Sequence, residues 1–174
     1  TGAAPNQQAI PAVEYLMSEE GGKAERFVLL GTDYVYPRTT SQILRAFLKS
    51  KSIADADIME EYTPFSHSNY QTIVANIKKF SAGKKTAVIS TINGDSSVPF
   101  YRELGNQGIK ASDIPVMAFS VGEEESRGID TKPLEGHLAA WNYFMSVKNP
   151  TNAAFIKSYK QYAVDYKLPN ADKV

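Results

Sequence analysis

Gly31-Thr-Asp-Tyr-Val-Tyr-Pro-Arg38 follows the apolar run Phe27-Val-Leu-Leu30 and leads into Ile43, Leu44, Phe47 and Leu48. The run is too short and too uniformly apolar for an amphipathic helix, so it reads as a buried strand; the positions after Arg38 recur at helical spacing. The quoted stretch is therefore a strand-to-helix turn. Pro37 falls near the first helical position, where its fixed φ and missing N–H suit it. In an open α/β sheet such a turn lies at the carboxyl end of a strand, where these folds hold their ligands. If it stays extended, Tyr34 and Tyr36 point the same way, because side chains alternate along a strand. Two phenols side by side form either a recognition surface or a cover for the sheet edge, and spacing alone does not choose between them.

Outward from this turn the same pattern repeats. Helical spacing over 8–18 (Ile10, Val13, Leu16, Met17) stops at Glu19-Glu-Gly-Gly-Lys23, a glycine pair suited to a helix C-terminus. Strand 26–30 and helix 37–50 follow. A weaker strand over 57–63 carries two acidic residues, which fits a place near the sheet edge. Ser68 is expected to cap a helix running through Tyr70, Ile73, Val74, Ile77 and Phe80. Strand 86–92 is the clearest, then come the turn Asn93-Gly-Asp-Ser-Ser97 and a helix over 98–106. Strand 115–120 leads into a short helix over 121–126. The aromatic content of 136–145 favours a strand. From Asn152, Phe155, Tyr159, Tyr162 and Tyr166 mark an amphipathic helix. Alternation of this kind predicts a three-layer α/β fold, a mostly parallel sheet with helices on both faces joined by right-handed crossovers. Four strand ends should then gather along one edge: Tyr34/Tyr36, Thr63/Pro64, Ile92/Asn93 and Ser120/Gly122.

Composition narrows the function. A chain of 174 residues fits one domain with a real core. Its 19 basic and 19 acidic residues cancel, so no global field points to nucleic acid or an anionic membrane. There is no cysteine, which removes disulfides and thiol chemistry, and no apolar run nears the ~20 residues that span a bilayer. The first strand is not followed by G-x-G-x-x-G, and neither a Walker A sequence nor a G-x-S-x-G elbow occurs. The two histidines, His67 and His137, lie far apart and read as packing or surface residues, so no metal or cofactor is expected. Asp33 and Asp95 could serve a phosphoacceptor, but no lysine follows the later strand ends.

Glu123-Glu-Glu125 opens a helix and complements the positive end of its dipole. That accounts for Glu124 and Glu125. Glu123, nearest the strand end, can also accept ligand N–H groups. Asn93 offers an acceptor and a donor pair suited to an amide, or equally a cap for its own loop. Aromatic faces, an amide and hydroxyls without a nucleophile–base pair are equipment for binding.

Along essentially its whole length the chain resembles the substrate-binding proteins of bacterial urea ABC transporters, in the amide-binding branch of type I periplasmic binding proteins. The most specific stretches are Thr1-Gly-Ala-Ala-Pro-Asn-Gln-Gln8, Gly31 to Arg38, Tyr70-Gln-Thr-Ile-Val-Ala-Asn-Ile-Lys-Lys-Phe-Ser81, Ser90-Thr-Ile-Asn-Gly-Asp95 and Gly136-His-Leu-Ala-Ala-Trp-Asn-Tyr-Phe144. The resemblance implies a two-lobed clamp with the ligand in the cleft. It assigns ligand contact to Tyr34 and Tyr36, which match a D-Y-x-Y pair in the related short-chain-amide sensor. It assigns the same to Asn93, where that sensor has an apolar residue, and to Ser120, where it has threonine.

The resemblance also implies that residues 1–6 form an interlobe crossover and that 1–174 is a single Rossmann-like lobe, excised from a protein whose first lobe is missing. The implied role is non-enzymatic: an extracytoplasmic receptor, periplasmic or extracellular and in one form lipid-anchored, handing urea or a similar short amide to a membrane permease. The isolated lobe should bind negligible ligand and expose apolar surface that promotes self-association. An amide-sensing regulator of the same fold is the alternative. A doubly wound enzyme using Asp33 or Glu123 as general base is a remote third.

Overall fold

The computed structural model describes residues 4–126 and 130–169. The chain divides into two compact units, Thr1–Asn142 and Tyr143–Val174. The first unit contains helix α1 (Pro5–Met17), strand β1 (Arg26–Thr32), α2 (Val35–Ser50), β2 (Ile58–Thr63), α3 (Gln71–Phe80), β3 (Thr86–Thr91) and α4 (Ser97–Asn106). It continues with β4 (Val116–Ala118), the short helices α5 (Glu123–Ser126) and α6 (Thr131–Leu134), and β5 (Leu138–Ala139). All strand pairs are parallel, in the order β2-β1-β3-β4-β5.

Period-two alternation in the strands divides the core between the two faces. Phe27, Leu29, Ala87, Ile89, Met117 and Phe119 pack with Val13 and Leu16 of α1 and Leu44 and Leu48 of α2. Val28, Leu30, Val88, Val116 and Ala118 pack on the other side with Val74 and Ile77 of α3 and Phe100, Tyr101 and Leu104 of α4. This is the predicted arrangement of helices on both faces. The acidic strand β2 is at the edge, as its composition predicted.

Several local expectations change. Helix α2 starts at Val35, two residues before Pro37; a proline in the first turn removes an N–H that no helical bond needs. Helix α3 has Tyr70 at its N-cap, and the Asn69 side chain, not Ser68, accepts the Gln71 N–H at 3.3 Å. Helix α1 begins at Pro5, three residues before its expected start; the crossover expected over 1–6 falls partly on residues 1–3, which lie outside the described residues. The strand expected over 136–145 is confined to Leu138–Ala139. Aromatic residues favour a strand only where neighbours cover them, and β5 is an edge strand whose continuation leaves Trp141, Tyr143 and Met145 exposed.

His137, just before β5, packs at 5.6 Å from the Tyr101 ring, and its Nδ1 accepts the Val116 N–H at 3.0 Å. Burial pushes its pKa down to about 4. The unfolded chain therefore takes up a proton near pH 6.5 that the folded chain refuses until about pH 4. Stability is fully present above the upper value and falls as pH drops through this window, by on the order of 2 kcal/mol after allowance for partial exposure. His137→Asn keeps an acceptor for Val116 and removes the titration. Guanidinium melts from pH 7 to 4 should show a shallower acid-side loss in the variant; identical slopes would exclude His137 as the cause.

In the second unit, α7 (Pro150–Asp165) is capped by Asn149, whose side chain accepts the Asn152 N–H at 2.7 Å. The Asn152 amide donates to the carbonyls of Met145 (3.0 Å) and Val147 (2.7 Å) and accepts from the Tyr143 hydroxyl (2.9 Å). The helix begins two residues before its predicted start. Its aromatic row of Phe155, Tyr159, Tyr162 and Tyr166 is exposed, whereas Asn152 and Ala163 are its buried residues.

Candidate functional site

The sheet order reverses between β1 and β3. The chain leaves β1 to add β2 on one side, then adds β3, β4 and β5 on the other. At such a switch point the loops at the strands' carboxyl ends part in opposite directions and leave a crevice. Tyr34 and Tyr36 follow β1, Asn93 follows β3 and Ser120 follows β4. These four residues line one concavity of about 290 Å³ together with Gln8, Trp141 and Asn142.

Tyr34 and Tyr36 face a common space for a reason other than strand alternation. Tyr34 is the extended N-cap of α2, and Tyr36 lies in the helix's first turn. Their ring centroids are 6.1 Å apart, and Phe65 from the loop after β2 packs on Tyr34 at 5.1 Å. That contact is what the fourth strand end contributes; Thr63 and Pro64 are not among the lining residues. Burial pushes the Tyr36 phenol up, opposed by its hydrogen bond with Ser120, so it stays protonated at neutral pH and able to donate.

The Asn93 main-chain N–H donates to Thr32 Oγ1 at 3.0 Å, and its side-chain amide donates to the Thr91 carbonyl at 3.1 Å. The loop-holding role and an open acceptor thus coexist: one N–H is spent on the strand end, and Oδ1 keeps its lone pairs. Gln8 spends both amide hydrogens, on the carbonyls of Phe119 (3.1 Å) and Ala140 (2.5 Å).

Asp33 is held by Arg38 at 2.6 Å, and the Arg38 guanidinium lies 4.3 Å over the Tyr62 ring. The Arg38 hydrogen bond holds the Asp33 carboxyl below its ordinary range, which makes it a poor general base. Glu123 is the first residue of α5 and is not among the lining residues. Its neighbour Glu125 caps the turn, accepting the Gly122 N–H at 2.8 Å. His67 stays with local structure, its Nε2 2.8 Å from the Asn69 carbonyl and its ring edge-on to Tyr70 at 4.8 Å. Among the described residues, no group of three or more His, Cys, Asp or Glu side chains could hold a metal, and no helix is long and apolar enough to cross a membrane.

Sequence reasoning missed Gln8, Trp141 and Asn142. Trp141 and Asn142 were hidden by the expected strand over 136–145: they sit inside it, and only the observed end of β5 at Ala139 makes them strand-end residues. Gln8 had no signal, since nothing in the spacing of a helix shows that its start crosses two strand ends.

A family model for periplasmic binding protein domains matches residues 1–174. Among solved structures, the chain is similar to the leucine-, isoleucine-, valine-, threonine- and alanine-binding protein of Brucella ovis in its closed conformation. That match has a TM-score of 0.74 at 12% identity and covers 92% of this chain and 39% of the other. It is also similar to an amino acid ABC transporter substrate-binding protein from Pseudomonas fluorescens Pf-5, with a TM-score of 0.68 at 18% identity, covering 88% and 38%. An ABC transporter solute-binding protein of R. palustris, in complex with benzoate, matches with a TM-score of 0.69 at 17% identity, covering 97% and 43%. The chain thus spans well under half the length of these relatives. Its sheet, with helices on both faces, has the architecture of one lobe of a type I periplasmic binding protein, and the chain belongs to the periplasmic binding protein domain family.

Proposed function

We propose that this chain supplies one wall of a two-lobed, non-enzymatic receptor that binds urea or a similar short amide and passes it to the membrane permease of an ABC importer. The observation that carries the reading is the chemistry of the concavity. None of its lining residues is charged; they include the protonated Tyr36 phenol, the Ser120 hydroxyl and the Asn93 and Gln8 carboxamides, beside the Tyr34 and Trp141 rings. A carboxylate buried against such a wall would lack a cation to pair with. A small planar amide finds donors for its oxygen and acceptors for its N–H groups.

Calorimetry on the complete two-lobed protein with urea, acetamide, leucine and benzoate tests this. Urea and acetamide should bind, whereas leucine and benzoate should not; preference for either carboxylate would overturn the reading. The 174-residue chain should bind urea negligibly, because one wall cannot enclose so small a ligand, and tight binding by it would contradict the two-lobe mechanism. Capture is closure of the two lobes around the ligand, followed by docking of the closed form on the permease.

The reading also gives the exposed aromatic row of α7 a role as a surface that the rest of the protein covers. Without that cover, an apolar patch of this kind promotes association between copies. Sedimentation velocity on the 174-residue chain should show concentration-dependent oligomers. Replacing Phe155 and Tyr159 by Glu should weaken that association by about tenfold or more, and unchanged association would place the contact elsewhere.

A further inference from the structure

Two lining residues each follow a carbonyl that a third one holds. Strand β4 ends at Ala118 and β5 at Ala139, so Ser120 and Trp141 lie just past the ends of their ladder. The last main-chain ties are the Phe119 N–H to the Ser90 carbonyl and the Ala140 N–H to the Ala118 carbonyl, both 2.9 Å. Beyond these, the half-buried Gln8 side chain, near the start of α1, donates to the Phe119 carbonyl at 3.1 Å and to the Ala140 carbonyl at 2.5 Å. Those are the residues immediately before Ser120 and Trp141. One planar carboxamide thus links two loops, and its two hydrogens diverge at a fixed angle that sets their separation.

With both hydrogens spent, the group Gln8 has left for a ligand is Oε1, which accepts an N–H and repels a carboxylate. We propose that Gln8 is the positioning residue for the Ser120 and Trp141 walls and, through Oε1, selects neutral N–H-rich ligands over carboxylates. The selection half rests on the amide-binding reading; the positioning half does not.

Trp141 is the single tryptophan of the 174-residue chain, so its emission reports this wall directly. Gln8→Met removes both donors and the acceptor at similar length, and Gln8→Lys keeps donors but has no acceptor. Trp141 is 45% exposed, which leaves room for about a twofold rise in acrylamide quenching at full exposure. Quenching should rise toward that ceiling in Gln8→Met and stay at the wild-type value in Gln8→Lys. Unchanged quenching in Gln8→Met overturns the positioning role. If Gln8→Met fails to fold by circular dichroism, the near-isosteric Gln8→Glu, which also lacks both donors, replaces it: raised quenching supports the role and wild-type quenching refutes it.

In the complete two-lobed protein, Gln8→Lys should lower urea affinity by about tenfold or more, the loss expected when a buried N–H is left unpaired. It should also narrow the preference for urea over benzoate. Wild-type urea affinity in this variant refutes the selection role. If the wild-type protein binds neither urea nor acetamide, the amide reading fails and the selection role fails with it, while the quenching comparison still judges the positioning role.

Discussion

Asn93→Val in the complete protein is expected to lower urea affinity by about 10–100-fold while changing acetamide affinity by about threefold or less. Urea carries an amino group where acetamide carries a methyl. The Asn93 carbonyl oxygen, left open because the amide nitrogen is occupied by the Thr91 carbonyl, is the acceptor suited to that amino group. Valine of similar size removes the acceptor, so urea leaves an N–H unpaired, whereas acetamide places its methyl against a methyl. Calorimetry with both ligands measures the contrast, and parallel losses would sink it. A thermal melt accompanies the test, because the variant also forfeits the 3.1 Å bond to Thr91.

The second large effect concerns Gly31, which pairs with Tyr62 and Thr91 near the end of β1. A Cβ there would stand 2.3 Å from Thr91 Oγ1 and 2.6 Å from Pro37 Cβ, both well inside contact distance. Thr91 is itself buried, and Pro37 is a rigid ring in the first turn of α2, so neither gives way cheaply. Gly31→Ala should therefore cost about 3 kcal/mol or more, at or beyond the upper end of ordinary overpacking. Gly83, with φ +81° and open space around its Cα, provides the contrast. Alanine at Gly83 meets only the backbone penalty of about 1–2 kcal/mol. Guanidinium melts suit both variants, since urea is the proposed ligand. Gly31→Ala should lower the midpoint further with an unchanged slope, and equal losses would refute the steric account. Ligand affinity should fall in Gly31→Ala as well, because pushing Pro37 away shifts Tyr36 next to it.

Much of this molecule was legible in the order of its residues. Uniform apolar runs such as Phe27-Val-Leu-Leu30 can exist only where both sheet faces are covered, and helical spacing between them leaves a parallel sheet as the way to cover them. The strand-end rule then picked out Tyr34, Tyr36, Asn93 and Ser120, and all four line the concavity. Glu123 was picked by the same rule and is not among the lining residues, because the rule locates a loop and says nothing of which residue in it faces the crevice.

What the sequence by itself determined was the fold class, the edge position of the acidic strand and most of the strand ends whose residues line the concavity. Those properties follow from local periodicity and composition, which act over a few residues. The tertiary structure alone decided that the order reverses between β1 and β3 and that a carboxamide in α1 ties two strand ends together. Each of these depends on groups distant in sequence meeting in space, which periodicity does not encode. So does the reading of Gly31 to Arg38. Its two tyrosines share the crevice through the cap and first turn of a helix, a geometry set by where Pro37 packs against β1.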